Sequence, residues 1–285
     1  MNRLIAIGKG FLEFWSRYRK NVASVIAAGV FLFLVVIAIC YPWLTPYDPL
    51  SVVARPLQPP GPSHWMGVDD LGRDTFSGVL QGTRTSLMVG FCSAATSAII
   101  GIFIGALAGY YERTVDNVLM RVTELFQIIP MFLLAILIVA IFGANLWFVI
   151  IIIGLLSWPS TARLVRAELL SLKERDFVVA ARAMGSRPIR IIFQEVLPNS
   201  LPPVIVNISL QIASAILVEA GLSYLGLGDP SLMSWGRMLY SAQTFLRRAP
   251  WMAIFPGLMI SITTLSLNLI GDGLNDALNP RLKNR

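Results

Sequence analysis

Five stretches of this chain run for the length of a membrane crossing without one Asp, Glu, Lys or Arg: residues 22–44, 85–111, 125–162, 196–218 and 249–271. About 20 apolar residues are enough to cross the hydrocarbon core. The third stretch is too long for one crossing, and Gly143, Ala144 and Asn145 break it near its middle. That makes six helices, because lipid leaves only helices and closed barrels able to satisfy their own backbone. The alternation expected of barrel strands is absent. Composition agrees: 14% of the residues are charged, against roughly 25% in an average soluble domain. The fold class is an all-α polytopic membrane protein.

Lys and Arg set the orientation. With the N-terminus in the cytoplasm, seventeen basic residues fall on inner segments and six outside (Arg55, Arg73, Arg84, Arg237, Arg247 and Arg248). Cytoplasmic loops carry such an excess, so both termini are expected inside. The same faces account for a net charge of +7 by meeting anionic lipid or an acidic partner, with no need of nucleic acid.

The expected organisation starts with an interfacial helix over 1–21, where Leu4, Ile7, Phe11, Trp15 and Tyr18 recur at helical spacing among Arg3, Lys9 and Arg17. A transmembrane unit over 22–285 follows. Its spans are 22–44, 84–110, 117–142, 146–164, 200–226 and 252–274, with external segments at 45–83 and 227–250 and a cytoplasmic loop at 165–199. The first span is not a cleaved leader. Its apolar core is too long, and Tyr41, Pro42 and Trp43 stand where a small-residue cleavage site belongs.

Catalytic machinery is hard to place. No G-x-x-x-x-G-K-[ST] loop is present, so the chain has no phosphate cradle of that kind and its energy must come from a gradient or a partner. The one histidine, His64, lies outside the membrane, and Cys40 and Cys92 lie in separate spans as ordinary packing residues. His64, Asp69, Asp70 and Asp74 have the chemistry of a divalent-ion site. The simpler reading is preferred: Gly67 and Gly72 make turns and Asp74 caps the helix leading into span 2. No metal site is assigned.

Two polar stripes stand out within the spans. Asn207, Gln211 and Ser214 share one helical face of span 5; Ser261, Thr264, Asn268 and Asp272 share one face of span 6. Polar groups are costly against lipid, so these faces point at protein or water. They suit a passage for peptide backbone, and equally they suit interhelical hydrogen bonding. Ser93, Ser97, Gly101, Gly105 and Gly109, four apart along span 2, form a ridge for close helix packing.

The loop over 165–199 is basic and broken. Phe177 to Met184 reads as a short helix that Gly185 stops, and Pro188 opens a second. By its chemistry this hairpin serves a docking partner or lipid headgroups equally well. It resembles the EAA loop of ABC importer permeases, written E-A-A-x3-G-x9-I-x-L-P. Ala180, Ala181, Gly185, Leu197 and Pro198 match in register, while Val179 replaces the Glu and Glu195 the Ile. The stretch from His64 through Gly67, Asp69, Gly72 and Arg73 to Asp74 is similar to the H-x-x-G-T-D-x-x-G-R-D signature of C-type dipeptide, oligopeptide and nickel permeases, with Val68 in place of Thr. The runs from Glu219 to Gly228, Ser234 to Gly236 and Asn268 to Leu282 fit the same group.

That resemblance implies the type I importer fold in a bacterial inner membrane. It implies a homologous B-type permease, two ATPase subunits that carry the ATP and Mg, and an extracytoplasmic substrate-binding protein as partners, with no cofactor in this chain. It implies that the segment with Ala180, Ala181, Arg182, Gly185 and Arg187 couples to the ATPase, and that the polar spans form half of a passage for di- and oligopeptides. A nickel or metal-chelate importer of the same family is the runner-up. A gradient-driven transporter would need ionisable relays, and only Glu219 and Asp272 stand near span ends. An intramembrane enzyme, lacking a His/Asp pair or metal cluster in the spans, ranks last.

Overall fold

The computed structural model describes residues 14–128 and 130–278. Of the expected interfacial helix, residues 14–18 are helical and the rest, up to residue 13, lies outside the described residues. Tyr18 is buried, and its hydroxyl donates to the Ser24 carbonyl at 3.1 Å. That contact seats the N-terminal segment against the last helix, near Gly273.

The long helices are α1 (Val22–Leu44), α2 (Thr75–Tyr111), α5 (Leu146–Leu172), α7 (Pro188–Leu227) and α9 (Trp251–Leu278). Each is long and apolar enough to cross a membrane. Local chemistry sets their starts: Asn21, Asp74 and Asn145 each accept a backbone N–H from the first turn of α1, α2 and α5. Because Asp74 is the cap, α2 begins at Thr75, nine residues before the expected start at 84. Its 37 residues extend for about 55 Å, well past the hydrocarbon core.

The third span departs from a straight rod. It is two helices, α3 (Arg113–Ile128) and α4 (Met131–Phe142), set at 76°. Pro130 lacks a backbone donor and its ring cannot continue an incoming helix, so the axis breaks there. Gly143, with φ 92°, ends α4, at the expected break. Between α2 and α3 the chain reverses through Glu112 and Arg113, both at positive φ, and the Glu112 carboxylate pairs with Lys173 beyond the end of α5.

α2 is the central post and packs most extensively on α5. A Cβ added at Gly101 would lie 2.5 Å from Thr161 Cβ. Ser93 Oγ donates to the Ile150 carbonyl at 3.0 Å. The small-residue ridge is therefore a packing surface. One apolar core joins α1, α2, α7 and α9 through Leu34, Leu87, Ile216 and Leu267, with Trp235 from the segment before α9. A second joins α2, α4, α5 and α7 through Val89, Val139, Ile153 and Leu222.

Two short helices complete the fold: α6 (Asp176–Ala183), which precedes α7, and α8 (Trp235–Ala242), which precedes α9. Widened π turns interrupt α7 at Ile191–Val196 and Ser223–Leu227. Pro198, Pro202 and Pro203 remove three helix donors nearby. In the same stretch Asn199 Nδ2 donates to the Glu195 carbonyl at 2.6 Å.

Candidate functional site

At the basic end of the bundle, α6 and the first turns of α7 form the hairpin anticipated over 177–199. Gly185, at φ 76°, closes α6 with two crossed hydrogen bonds: its own N–H to the Arg182 carbonyl at 2.9 Å, and that of Ser186 to the Ala181 carbonyl at 3.1 Å. This closure requires the left-handed region, which glycine enters without strain. Pro188 then occupies the first turn of α7.

The hairpin has two faces. Val178, Ala181, Ile191, Ile192 and Val196 are buried with Ala106, Val165 and Leu169 of α2 and α5. This divides the two alanines: Ala181 approaches the chain's own core, so it does not face outward with Ala180, which is exposed. Exposed beside Ala180 are Phe177, Met184 and Ile189, at 41%, 79% and 54%. A Cβ at Gly185 would meet nothing within 4 Å. Arg182 lies over the Tyr110 ring at 5.6 Å, and Arg190 donates to Gln194 at 3.0 Å. Arg187 and Pro198 are exposed, and Leu197 is half-buried. The result is an apolar outward patch on a rigid, basic support.

The polar stripe of α7 meets α2 and α5. Gln211 Nε2 donates to Ser160 Oγ at 2.9 Å and Thr161 Oγ1 at 2.8 Å, and its Oε1 accepts from Ser97 Oγ at 3.0 Å. Asn207 donates to the same Thr161 hydroxyl at 3.2 Å. Gln211 and Ser214 also line an open cleft of about 360 Å³ with Gln127, Ser157 and Ser160. The α9 stripe does not join this network. Ser261 and Thr264 donate to their own helix, at the Gly257 and Ile260 carbonyls, and Asn268 and Asp272 are exposed. The partners on α5 were missed in sequence, although Ser157, Ser160 and Thr161 share a helical face there.

Glu219, near the far end of α7, is 2% exposed. Its carboxylate accepts from Ser223 Oγ at 2.7 Å and from Ser86 Oγ at 3.5 Å, inside helix packing.

At the opposite end, the stretch from His64 to Asp74 is a wound scaffold. Gly67 and Gly72 turn at φ 75° and 88°. Asp74 accepts from the Ser77 N–H at 2.8 Å and binds His64 Nδ1 at 2.9 Å. Asp69 accepts from the Arg73 N–H and Nε at 2.8 and 2.6 Å. The turns at Gly67 and Gly72 and the cap at Asp74 are those expected, and the side chains of His64 and Arg73 add contacts to them. Burial, and then the charge of Asp69, push the Asp70 carboxyl above the ordinary aspartate range. Asp229 accepts the Leu146 N–H at 3.0 Å and so ties the 228–234 segment to the start of α5.

Residues 101–284 match the family described as binding-protein-dependent transport system inner membrane component, and residues 11–60 match the N-terminal transmembrane domain of oligopeptide transport permease C. The glutathione transport system permease protein GsiD of Pectobacterium atrosepticum is 44% identical, over 95% of this chain and 91% of that one. The dipeptide transport system permease protein DppC of Alkalihalophilus pseudofirmus is 41% identical, over 95% and 90%. Among solved structures, the inward-facing MetNI methionine ABC transporter matches with a TM-score of 0.58 at 20% identity, over 71% of this chain and 96% of that one, which speaks to the fold. With the family matched over more than half of its length and relatives this similar along nearly all of it, the chain belongs to the binding-protein-dependent transport permeases, the membrane-spanning subunits of ABC importers.

Proposed function

We propose that this chain forms half of the passage of an ATP-driven importer of small peptides in a bacterial inner membrane. Its partners are a homologous B-type permease, two cytoplasmic ATPases that bind ATP and Mg, and an extracytoplasmic binding protein that delivers the substrate. The basic end and both termini face the cytoplasm, in keeping with the distribution of Lys and Arg. ATP binding closes the ATPases, the hairpin at 176–199 carries that movement into α5 and α7, and hydrolysis resets the passage. The peptide substrate is supported by the names of the relatives, which transport dipeptides and glutathione.

The hairpin itself is the observation that carries this reading. Its inner face is locked into the bundle core, while Phe177, Met184 and Ile189 lie exposed around the open surface at Gly185. An apolar patch on a charged rim is the anatomy of a protein interface. The test is Gly185→Glu, reconstituted with its partners in proteoliposomes. A side chain there is strained at φ 76° and projects into the docking surface. The variant is expected to insert and to pair with the second permease, yet to lose uptake and the stimulation of ATPase activity by loaded binding protein. Normal stimulation and uptake would show that the hairpin meets lipid instead.

A further inference from the structure

We infer that the groove between α3 and α5 contains a carboxylate-binding site centred on Arg163, and that this site takes the C-terminal carboxylate of the peptide in transit. The inference rests on the peptide reading above and adds a recognition element to it.

The groove comprises two clefts that share α3 and α5, one of which also takes lining from α4 and α7. The first, of about 360 Å³, is lined half by apolar side chains and half by neutral polar ones, Gln127, Ser157, Ser160, Gln211 and Ser214. These amides and hydroxyls are matched to a peptide backbone and carry no charge. One helical turn nearer the basic end, about 5 Å along the axis, lies a second cleft of about 320 Å³ that contains Arg121, Arg163, Arg166, Asp116 and Glu124. On α5, Ser160 of the first cleft and Arg163 of the second are i and i+3, on one face.

The charges in the second cleft do not cancel. Arg166 grips Asp116 with both ends of its fork, Nη2 to Oδ2 at 2.6 Å and Nε to Oδ1 at 2.5 Å. Arg121 reaches Glu124 of its own helix at 3.4 Å. Arg163 is exposed and, among the described residues, has neither a hydrogen bond nor an ion pair. One guanidinium is left over, a helical turn along α5 from Ser160. Its planar fork fits a carboxylate in two parallel hydrogen bonds. A di- or tripeptide whose backbone lies along Ser160 covers the roughly 5 Å to Arg163. An anionic lipid phosphate offers the fork the same chemistry, so the experiment separates the two sources.

The complete transporter is reconstituted with wild-type chain, Arg163→Gln or Arg163→Lys. Its binding protein is preloaded with one peptide, either as the free acid or as the C-terminal amide. Vesicles are made of phosphatidylcholine alone or with phosphatidylglycerol added. The expected result is that the wild type moves the acid about fivefold faster than the amide, as one accessible charge-assisted contact allows. The ratio falls to near one in Arg163→Gln, recovers in part in Arg163→Lys, and is the same in both lipids. An unchanged ratio in Arg163→Gln overturns the site, and so does equal slowing of acid and amide, which would mark a structural strut. A ratio that depends on phosphatidylglycerol overturns it in favour of a headgroup contact. Wild-type vesicles that import neither form overturn the peptide reading and this site with it, whereas wild-type import with an unchanged ratio overturns this site alone.

Discussion

Asp70 and Gln211 illustrate how single polar groups act in this protein. Among the described residues Asp70 Oδ1 is buried without a hydrogen-bond partner, and burial followed by the charge of Asp69 raises its pKa. The folded state therefore holds the proton more tightly than the unfolded chain. Asp70's contribution to stability is present below its unfolded value and is lost as pH rises through the folded one. Asp70→Asn removes that loss. Thermal unfolding in detergent should show the variant gaining on the wild type as pH rises from about 4 to 7, and a gap independent of pH would refute this. Gln211 holds α2, α5 and α7 together while lining the cleft of about 360 Å³. Interhelical bonds in membranes are worth about 0.6 kcal/mol on average. Gln211→Leu should therefore still assemble, with near-normal basal ATPase activity and reduced uptake. Failure to assemble would make Gln211 a packing contact and nothing more.

Between elements, the approach of α2 to α5 is the tightest constraint. Gly101→Val places a branched side chain against Thr161 Cβ and the Trp158 carbonyl, a form of overpacking that costs about 1–3 kcal/mol. Gly29→Val, on the exposed side of α1, meets nothing within 4 Å and serves as the control. Unfolding of Gly101→Val in detergent is expected about 5 °C lower, with the Gly29 variant close to the wild type. Equal melting of the two would show that the ridge is not a contact. The same scale explains why hydropathy, which placed a span over 117–142, did not show the bend between α3 and α4. Charge-free length marks where chain enters lipid, whereas Pro130 redirects the axis by 76° without altering composition.

For the whole molecule, the decisive question is which end faces which compartment. Single cysteines at Ser63 and Ser186, in a background without Cys40 and Cys92, report it directly. A membrane-impermeant thiol reagent added outside is expected to label the cysteine at position 63 and to spare that at 186. The reverse pattern would invert the molecule and remove the hairpin from the ATPases.

The sequence by itself determined what is local. Charge-free runs, the caps Asn21, Asp74 and Asn145, and the stops at Gly143 and Gly185 each act within a few residues, and lipid selects each helix one at a time. The faces on which polar residues gather were legible too, because helical spacing sets them. What meets each face was not. Gln211 finds Ser97 at a separation of 114 residues and Thr161 at 50. Ala180 and Ala181, adjacent in sequence, point to solvent and to core. Among the described residues Arg163 has no pair, whereas Arg166 takes Asp116 from a different helix. Periodicity names a face of a helix, but only close packing of several helices selects its neighbour.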